Sequence, residues 1–329
     1  MSPATSTAIA SPNIAFIKYW GDRDHDLRIP ANPSLSMTLG GLQTETSLTL
    51  LEPGAEDVLI LNGARVSGPP LARVSGFLAH VRAVAGRSEG AKVDSVNSYP
   101  AGAGIASSAA AFAALALAAS SAYSLDVSPT ELSRLARRGS GSAARSIFSG
   151  FVEMQTGQHD EDAYAKPFLP PDHWPLQDWV AVVDDQPKPI GSSEGHLLAN
   201  TSPIQLTRVN DAGRRMQVCR HALIERDFNQ LAAIIEQDSN LMHAVMITST
   251  PSLLYLQPAS LMLMRSIKAW RAEGIEACFT IDAGPNVHVI CTSEHSREVE
   301  RRLRSFEVVK DLIHATPGQG AKLQNTVAT

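Results

Sequence analysis

The chain has little with which to hold a polyanion over a broad surface. Its 329 residues carry 28 Lys and Arg against 33 Asp and Glu, a formal net charge of -5, with a pI near 6.1. That balance argues against a nucleic-acid or acidic-membrane surface, so any anion site must be built locally from a few basic side chains and backbone amides. Cysteine is also scarce. Cys219, Cys278 and Cys291 are odd in number and lack metal-ligand spacing, which excludes a disulfide framework and a zinc site and fits reduced core residues. The N-terminal run Met1-Ser-Pro-Ala-Thr-Ser-Thr-Ala has neither a basic nor an apolar region of the signal-peptide kind, so a cytoplasmic protein is expected. The one long apolar tract, residues 101–122, is mostly alanine and is interrupted by Ser107, Ser108, Ser120 and Ser121, too weakly apolar for a membrane span. Repeats and low-complexity segments are missing. With 44% hydrophobic and 19% charged residues, the chain reads as globular and long enough for two lobes sharing one cleft.

Against that background one stretch stands out, Pro100-Ala-Gly-Ala-Gly-Ile-Ala-Ser-Ser followed by alanine-rich sequence. Gly102 and Gly104, with Ala103 between them, allow backbone close to a ligand, and the first amides of the following helix have no intrahelical partner. Ser107 and Ser108 add two hydroxyls in the first turn, where phosphate oxygens or Mg²⁺ would meet them and the helix dipole favours negative charge. No Gly-Lys-Ser/Thr follows, so this is not a Walker loop, and it is not a Gly-x-Gly-x-x-Gly fingerprint. From the residues alone, a phosphate cradle and a small-residue packing helix both remain open.

Several other segments have chemical or structural signatures. Residues 8–20 begin as a strand and end in Lys18, Tyr19 and Trp20 before an alternating-charge turn, Asp22-Arg-Asp-His-Asp. A lysine in so apolar a run is either a snorkelling edge residue or a functional one. Residues 29–39 read as a loop into a strand and residues 44–51 as an alternating strand, together suggesting an antiparallel meander. Helical spacing from Pro70 to a stop at Gly86, a strand over residues 93–99, and a Ser128-Pro-Thr-Glu131 capping box opening a helix over residues 129–138 follow. Ser140-Gly-Ser-Ala-Ala-Arg145 is a second glycine/serine turn, whose arginine suits a carboxylate or phosphate, or sits on the surface. Residues 159–175 look like an exposed excursion, giving lobes of 1–175 and 176–329, and residues 188–196 a flexible loop long enough for a lid. Helices are expected over residues 204–226, 229–246 and 259–273. A strand, turn, strand and helix complete residues 276–305, with Asp282 where a strand gives way to Ala-Gly-Pro-Asn. Turn chemistry alone explains an aspartate there.

Taken together, Asn13-Ile-Ala-Phe-Ile-Lys-Tyr-Trp-Gly, Ala106-Ser-Ser-Ala-Ala-Ala-Phe, Gly139-Ser-Gly-Ser-Ala-Ala-Arg and Ile281-Asp-Ala-Gly-Pro-Asn resemble the GHMP family of small-molecule kinases, and within it the mevalonate diphosphate decarboxylase branch. The matches span most of the chain in the family's order. The resemblance implies an α+β, two-lobed GHMP-kinase fold, with an N-terminal ribosomal-protein-S5-like lobe, a C-terminal ferredoxin-like lobe and the active site between them. It also implies ATP and Mg²⁺ as cofactors, a homodimer, and phosphorylation of a tertiary 3-hydroxyl followed by loss of phosphate and CO₂. On this resemblance Asp282 assists removal of the hydroxyl proton, Arg145 holds the substrate carboxylate and Lys18 offsets charge during phosphoryl transfer. Asn13, Tyr19, Ser140, Gly141 and Ser142 line the substrate, while Gly102, Ala103, Gly104, Ser107 and Ser108 hold the ATP phosphates and Ser107 meets the metal.

Two departures bear on the substrate. The family usually continues Trp-Gly with a lysine, where this chain has Asp22, and a loop that in some members carries a diphosphate-binding arginine has Ser192, Ser193 and Glu194. Added negative charge repels a distal phosphate. The expectation is therefore mevalonate 5-phosphate going to isopentenyl phosphate, with the 5-diphosphate as the alternative. A kinase stopping at the 3-phosphate and a catalytically silent GHMP-fold binding protein are further alternatives.

Overall fold

The structure, a computed structural model, describes residues 4–99, 107–186 and 190–324. Gly102, Ala103, Gly104 and Lys188 of the expectations above lie outside the described residues. Two large sheets organise the rest. The first is six-stranded, in the order Lys322–Leu323, Thr5–Ala10, Thr44–Pro53, Glu89–Asn97, Val58–Leu61, Ala64–Val66. Its one parallel pair, Val58–Leu61 with Glu89–Asn97, is bridged by the helix Pro69–Ala85, the kind of long crossover a parallel pair needs. The second sheet runs Ala165–Leu169, Phe151–Met154, Ser34–Gly40, Asp311–Pro317, Gln177–Val182, Val287–Cys291, Ala277–Thr280, with Asn13–Ile17 also paired to Ser34–Gly40.

The meander expected at the N-terminus is not formed. Ser34–Gly40 and Thr44–Pro53 are consecutive but enter different sheets, and so do Thr5–Ala10 and Asn13–Ile17. The links that switch sheets are short. Pro12 cannot donate to a continuing ladder, and Gly41 takes φ 87, a left-handed conformation that turns the chain out of the second sheet into the first. Lys18 follows directly on Asn13–Ile17, which pairs in the second sheet.

The helix Ser107–Ala122 packs on Thr5–Ala10 and Thr44–Pro53, with Ala109, Ala110, Ala113, Ala114, Ala116, Ala118 and Ala119 fully or almost fully buried. Methyl-sized side chains let the helix approach closely, and Phe112 supplies the bulk, worth about 1.5–3 kcal/mol when buried. No helix among the described residues is long and apolar enough to cross a membrane. The capping box forms as expected. Ser128 Oγ accepts from the Glu131 amide, and the Glu131 carboxylate accepts from the Ser128 amide at 2.8 Å, an arrangement worth about 0.5–2 kcal/mol.

Two further expectations change. Residues 159–175 are not a bare excursion: Ala165–Leu169 pairs with Phe151–Met154, and Ala163, Ala165 and Trp174 are buried. The apolar alternation there is too short to announce a strand amid prolines. Residues 192–196 of the expected lid are not a loop but part of the helix Ser192–Leu198. The antiparallel strands Ala277–Thr280 and Val287–Cys291 and the helix Ser296–Arg304 form as read.

Candidate active site

Lys18 follows directly on the strand Asn13–Ile17 and is only 1% exposed. Its backbone is fixed on both sides: the amide donates to Asp238 Oδ2 at 2.6 Å, and the carbonyl accepts from Asn32 Nδ2 at 2.9 Å and Arg208 Nη2 at 2.8 Å. Asp238 is itself paired with Arg215 at 2.6 Å, both buried. So tethered, the ammonium reaches Asp282, Nζ to Oδ1 2.6 Å. The snorkelling reading of Lys18 fails because the whole residue is buried and its head group meets a carboxylate. Asp282 keeps its side chain 29% exposed. Its turn is held from behind, where Ser260 Oγ donates to Pro285 O at 2.6 Å and Asn286 Oδ1 accepts from the amides of Val183 and Asp184. One carboxylate thus faces the cleft from a rigid strand end.

Arg145 lies in the short helix Ala143–Ser146 and is buried at 2% exposure. Its guanidinium donates to Ser36 Oγ at 2.9 Å, Ser34 Oγ at 2.6 Å and Asn13 Oδ1 at 3.2 and 3.3 Å. Asn13 is oriented in turn, donating to Ser146 Oγ at 2.8 Å and Ser142 O at 3.1 Å. Burial lowers the Arg145 pKa to about 10, with Asp282 opposing the shift. Arg145 has no carboxylate within ion-pair distance among the described residues. A buried cation held only by neutral oxygens accommodates an incoming carboxylate at low desolvation cost, since most of that cost is already met in the free protein.

Tyr19 and the Ser140-Gly141-Ser142 turn form the next part of the wall. A Cβ on Gly141 would lie 2.4 Å from Tyr19 Cε1 and 2.7 Å from its hydroxyl, so the glycine is what lets the ring sit against that backbone. Tyr19 donates its hydroxyl to Asp22, and burial followed by the Asp22 charge raises its pKa well above the ordinary phenol range. The phenol is therefore a neutral donor. Ser108 Oγ lies 3.3 Å from Ser140 Oγ, which lies 3.4 Å from Ser142 Oγ, joining the helix start to this turn.

Lys18, Asp282, Arg145, Asn13, Tyr19, Ser107, Ser108 and Ser140 to Ser142 all line one cavity of about 550 Å³. Ser107 and Ser108 stand half-buried at the N-terminus of a 16-residue helix. Among the described residues no group of three or more His, Cys, Asp or Glu side chains could cage a metal ion. Hydroxyl oxygens beside a phosphate-favouring helix end fit Mg²⁺ in the mode in which phosphates and water supply most ligands.

Arg28, Arg73 and His196 also line the cavity, though none of them stands out as a site residue in the sequence. Arg28 and Arg73 carry no periodic or motif signal, and His196 lies in the expected lid. Conversely, Asp22 does not line the cavity. It is buried, accepting from Tyr19 Oη and pairing with His25 Nδ1 at 2.8 Å, with His196 Nδ1 3.6 Å away. Its carboxylate is turned into these hydrogen bonds and away from the cavity surface, whereas Glu194 does face the cavity.

His196 fastens the helix Ser192–Leu198 to the wall. Its ring lies 4.3 Å from Tyr19 and 4.6 Å from Trp20, and Nδ1 accepts from the Gly21 amide at 3.1 Å. Burial lowers its pKa to about 4, with Asp22 opposing. The folded value lies below the ~6.5 of a free imidazole. The unfolded chain therefore takes up a proton that the folded chain refuses, and the stability present above the higher value is lost as pH falls toward the lower. His243, also lowered to about 4 by burial and then by Lys18, adds to the slope. The melting temperature is expected to fall between pH 7 and pH 4.5, less steeply in His196→Gln. An unchanged slope in that variant removes His196 from the account.

Residues 10–165 match the diphosphomevalonate decarboxylase-like N-terminal domain, and residues 179–327 the mevalonate 5-diphosphate decarboxylase C-terminal domain. The chain is similar to the diphosphomevalonate decarboxylase of Debaryomyces hansenii, 36% identical over 320 residues that cover 91% of this chain and 82% of the relative. A solved structure described as "MDDEF in complex with MVAPP, AMPPCP and Magnesium" superposes with a TM-score of 0.92 at 37% identity, covering 98% of this chain and 99% of that one. The mevalonate diphosphate decarboxylase of Enterococcus faecalis, in a structure addressing "mevalonate diphosphate mediated ATP binding", gives 0.91 at 36% identity with the same coverage.

Proposed function

The chain belongs to the mevalonate diphosphate decarboxylase family, and from that premise we propose that it catalyses the ATP-dependent decarboxylation of mevalonate 5-diphosphate to isopentenyl diphosphate. The observation that carries this reading is the pairing, in one cavity, of a buried Arg145 that meets no carboxylate among the described residues with an Asp282 held by Lys18. A guanidinium for a carboxylate and an aspartate for an alcohol are what a 3-hydroxy acid needs.

In this reading Arg145 grips the substrate's C1 carboxylate in a fork whose other N–H groups are already fixed by Ser34, Ser36 and Asn13. Asp282 takes the proton of the 3-hydroxyl as that oxygen forms its bond to the γ-phosphorus of ATP, and ADP leaves. Lys18 holds Asp282 in place and offsets the negative charge that gathers there. The C1–C2 bond then breaks, its electron pair forms the C2=C3 double bond, and the 3-phosphate departs with its oxygen while C1 leaves as CO₂. Tyr19 and the Ser140–Ser142 turn position the substrate chain. Ser107 and Ser108 would hold the nucleotide's phosphates, with Ser107 nearest the metal. Mg²⁺, when bound, supplies charge neutralisation for phosphoryl transfer.

The monophosphate expectation gives way in this proposal because the relatives are named for the diphosphate, Asp22 is set back from the cavity lining, and Arg28 and Arg73 add positive charge to the cavity. Glu194 at the cavity wall favours the second reading, a single 5-phosphate. Turnover of both substrates, with ADP and CO₂ measured together, tests the choice. Preference for the diphosphate is expected. Clear preference for mevalonate 5-phosphate would overturn that half of the proposal, and ADP without CO₂ would overturn decarboxylation.

A further inference from the structure

The helix Phe228–Thr248 backs the Lys18–Asp282 pair along one face. Asp238 Oδ2 accepts from the Lys18 amide at 2.6 Å. One residue on, Ser239 Oγ accepts from the Ile281 amide at 3.0 Å and donates to the Ile281 carbonyl at 3.4 Å. Four residues on from these two, and so on the same face, come Met242, which lines the cavity, and His243. His243 is 4% exposed, and among the described residues neither Nδ1 nor Nε2 makes a hydrogen bond. Buried polar groups left in this way are rare and costly. Burial and then the charge of Lys18 lower the pKa of the ring, while the carbonyls of Ile281 and Asp282 and the Asp282 carboxylate oppose the shift. His243 is therefore a neutral imidazole, with a nitrogen lone pair unspent, in the field of a buried ammonium.

We propose that His243 is a positioning residue that acts through Lys18, offering the ammonium a second acceptor once Asp282 has taken the substrate's proton. This rests on the functional reading above and adds what happens behind the pair. Before reaction, Asp282 Oδ1 at 2.6 Å is the one acceptor that Lys18 Nζ meets among the described residues. Proton transfer from the 3-hydroxyl turns that carboxylate into a neutral carboxyl and leaves Lys18, 1% exposed, without its counter-charge. The ammonium has three N–H groups and keeps all of them. Turning one onto the imidazole nitrogen holds the cation at the reacting centre with a hydrogen-bond partner. The backbone of Lys18 stays fixed by Asp238, Asn32 and Arg208, so only its side chain has to move.

His243→Leu and His243→Gln separate this role from packing. Leucine fills the buried site but cannot accept a hydrogen bond, whereas the glutamine oxygen can. His243→Leu is expected to lower kcat by roughly tenfold and to leave the KM for ATP and for substrate within about twofold. Its melting temperature should not fall, because unpaired polar atoms leave the interior. Glutamine should recover most of kcat. Wild-type kcat in the leucine variant, or equal losses in both variants, would overturn the proposal. A second measurement needs no turnover and so stands apart from the decarboxylase reading. The His243 ring-nitrogen resonances, assigned by their loss in His243→Gln, are compared by NMR in the wild type and in Asp282→Asn, whose neutral amide stands in for the protonated carboxyl. A shift that appears in Asp282→Asn and disappears when Lys18→Met is added supports the role of His243, even if no CO₂ is released. No shift, or one that survives without the lysine, rejects it.

Discussion

Asp282→Asn is expected to lower kcat by about 10²–10⁴-fold, the usual contribution of a positioned proton acceptor, while ATP binding persists. The substitution is close in shape, but an amide cannot take the proton of a tertiary alcohol. It also leaves the buried Lys18 ammonium without the carboxylate it meets at 2.6 Å. Removing one partner of a fully buried pair costs about 3–5 kcal/mol. With Asp282 about one-third exposed, the cost here should be well below that range, because solvent screens the pair. Melting temperature and ATP affinity, measured alongside turnover, separate lost chemistry from lost fold. A stable, ATP-binding variant with near-wild-type CO₂ release would take Asp282 out of the mechanism.

Arg145→Lys is the second large effect. Lysine keeps the charge but not the planar fork, so it cannot serve Ser34, Ser36 and Asn13 at once and still present a pair of N–H groups to a carboxylate. A small displacement of the substrate can cost about 10²-fold, and kcat/KM is expected to fall by at least that much. The distinguishing readout is the ratio of CO₂ to ADP. If Arg145 orients the bond to be broken, the ratio should drop below the wild-type value, since a loosely held acid is phosphorylated more readily than it is cleaved. A lysine variant that matches the wild type in both products contradicts the role assigned to Arg145.

Local signals proved dependable where the physics is local. The Ser128 capping box, the helix stop at Gly86 and the antiparallel strands around Asp282 formed as read, because caps, left-handed glycines and turn residues act over a few residues. The meander failed where pairing is long-range. Nothing in the alternation of residues 34–39 and 44–51 tells which sheet each strand joins, and Gly41 sends them apart. The same limit hid Arg28, Arg73 and His196. Their meaning comes from neighbours more than 40 residues away, such as the Gly139 carbonyl or the Tyr19 ring. Asp22 erred in the other direction, since a carboxylate in a charged turn looked free until Tyr19, His25 and His196 closed around it.

The amino-acid order alone determined which residue types were available: an aspartate at a strand end, an arginine after a serine-rich turn, a lysine in an apolar run and hydroxyls at a helix start. Those choices are readable because backbone conformation and helix-end chemistry depend on adjacent residues. Only the folded chain decided which charges are spent and which are left for a ligand. An ion pair forms between groups brought within about 4 Å, whatever their separation along the chain. Lys18 therefore meets Asp282 across 264 positions, and Asp22 is engaged in its own turn.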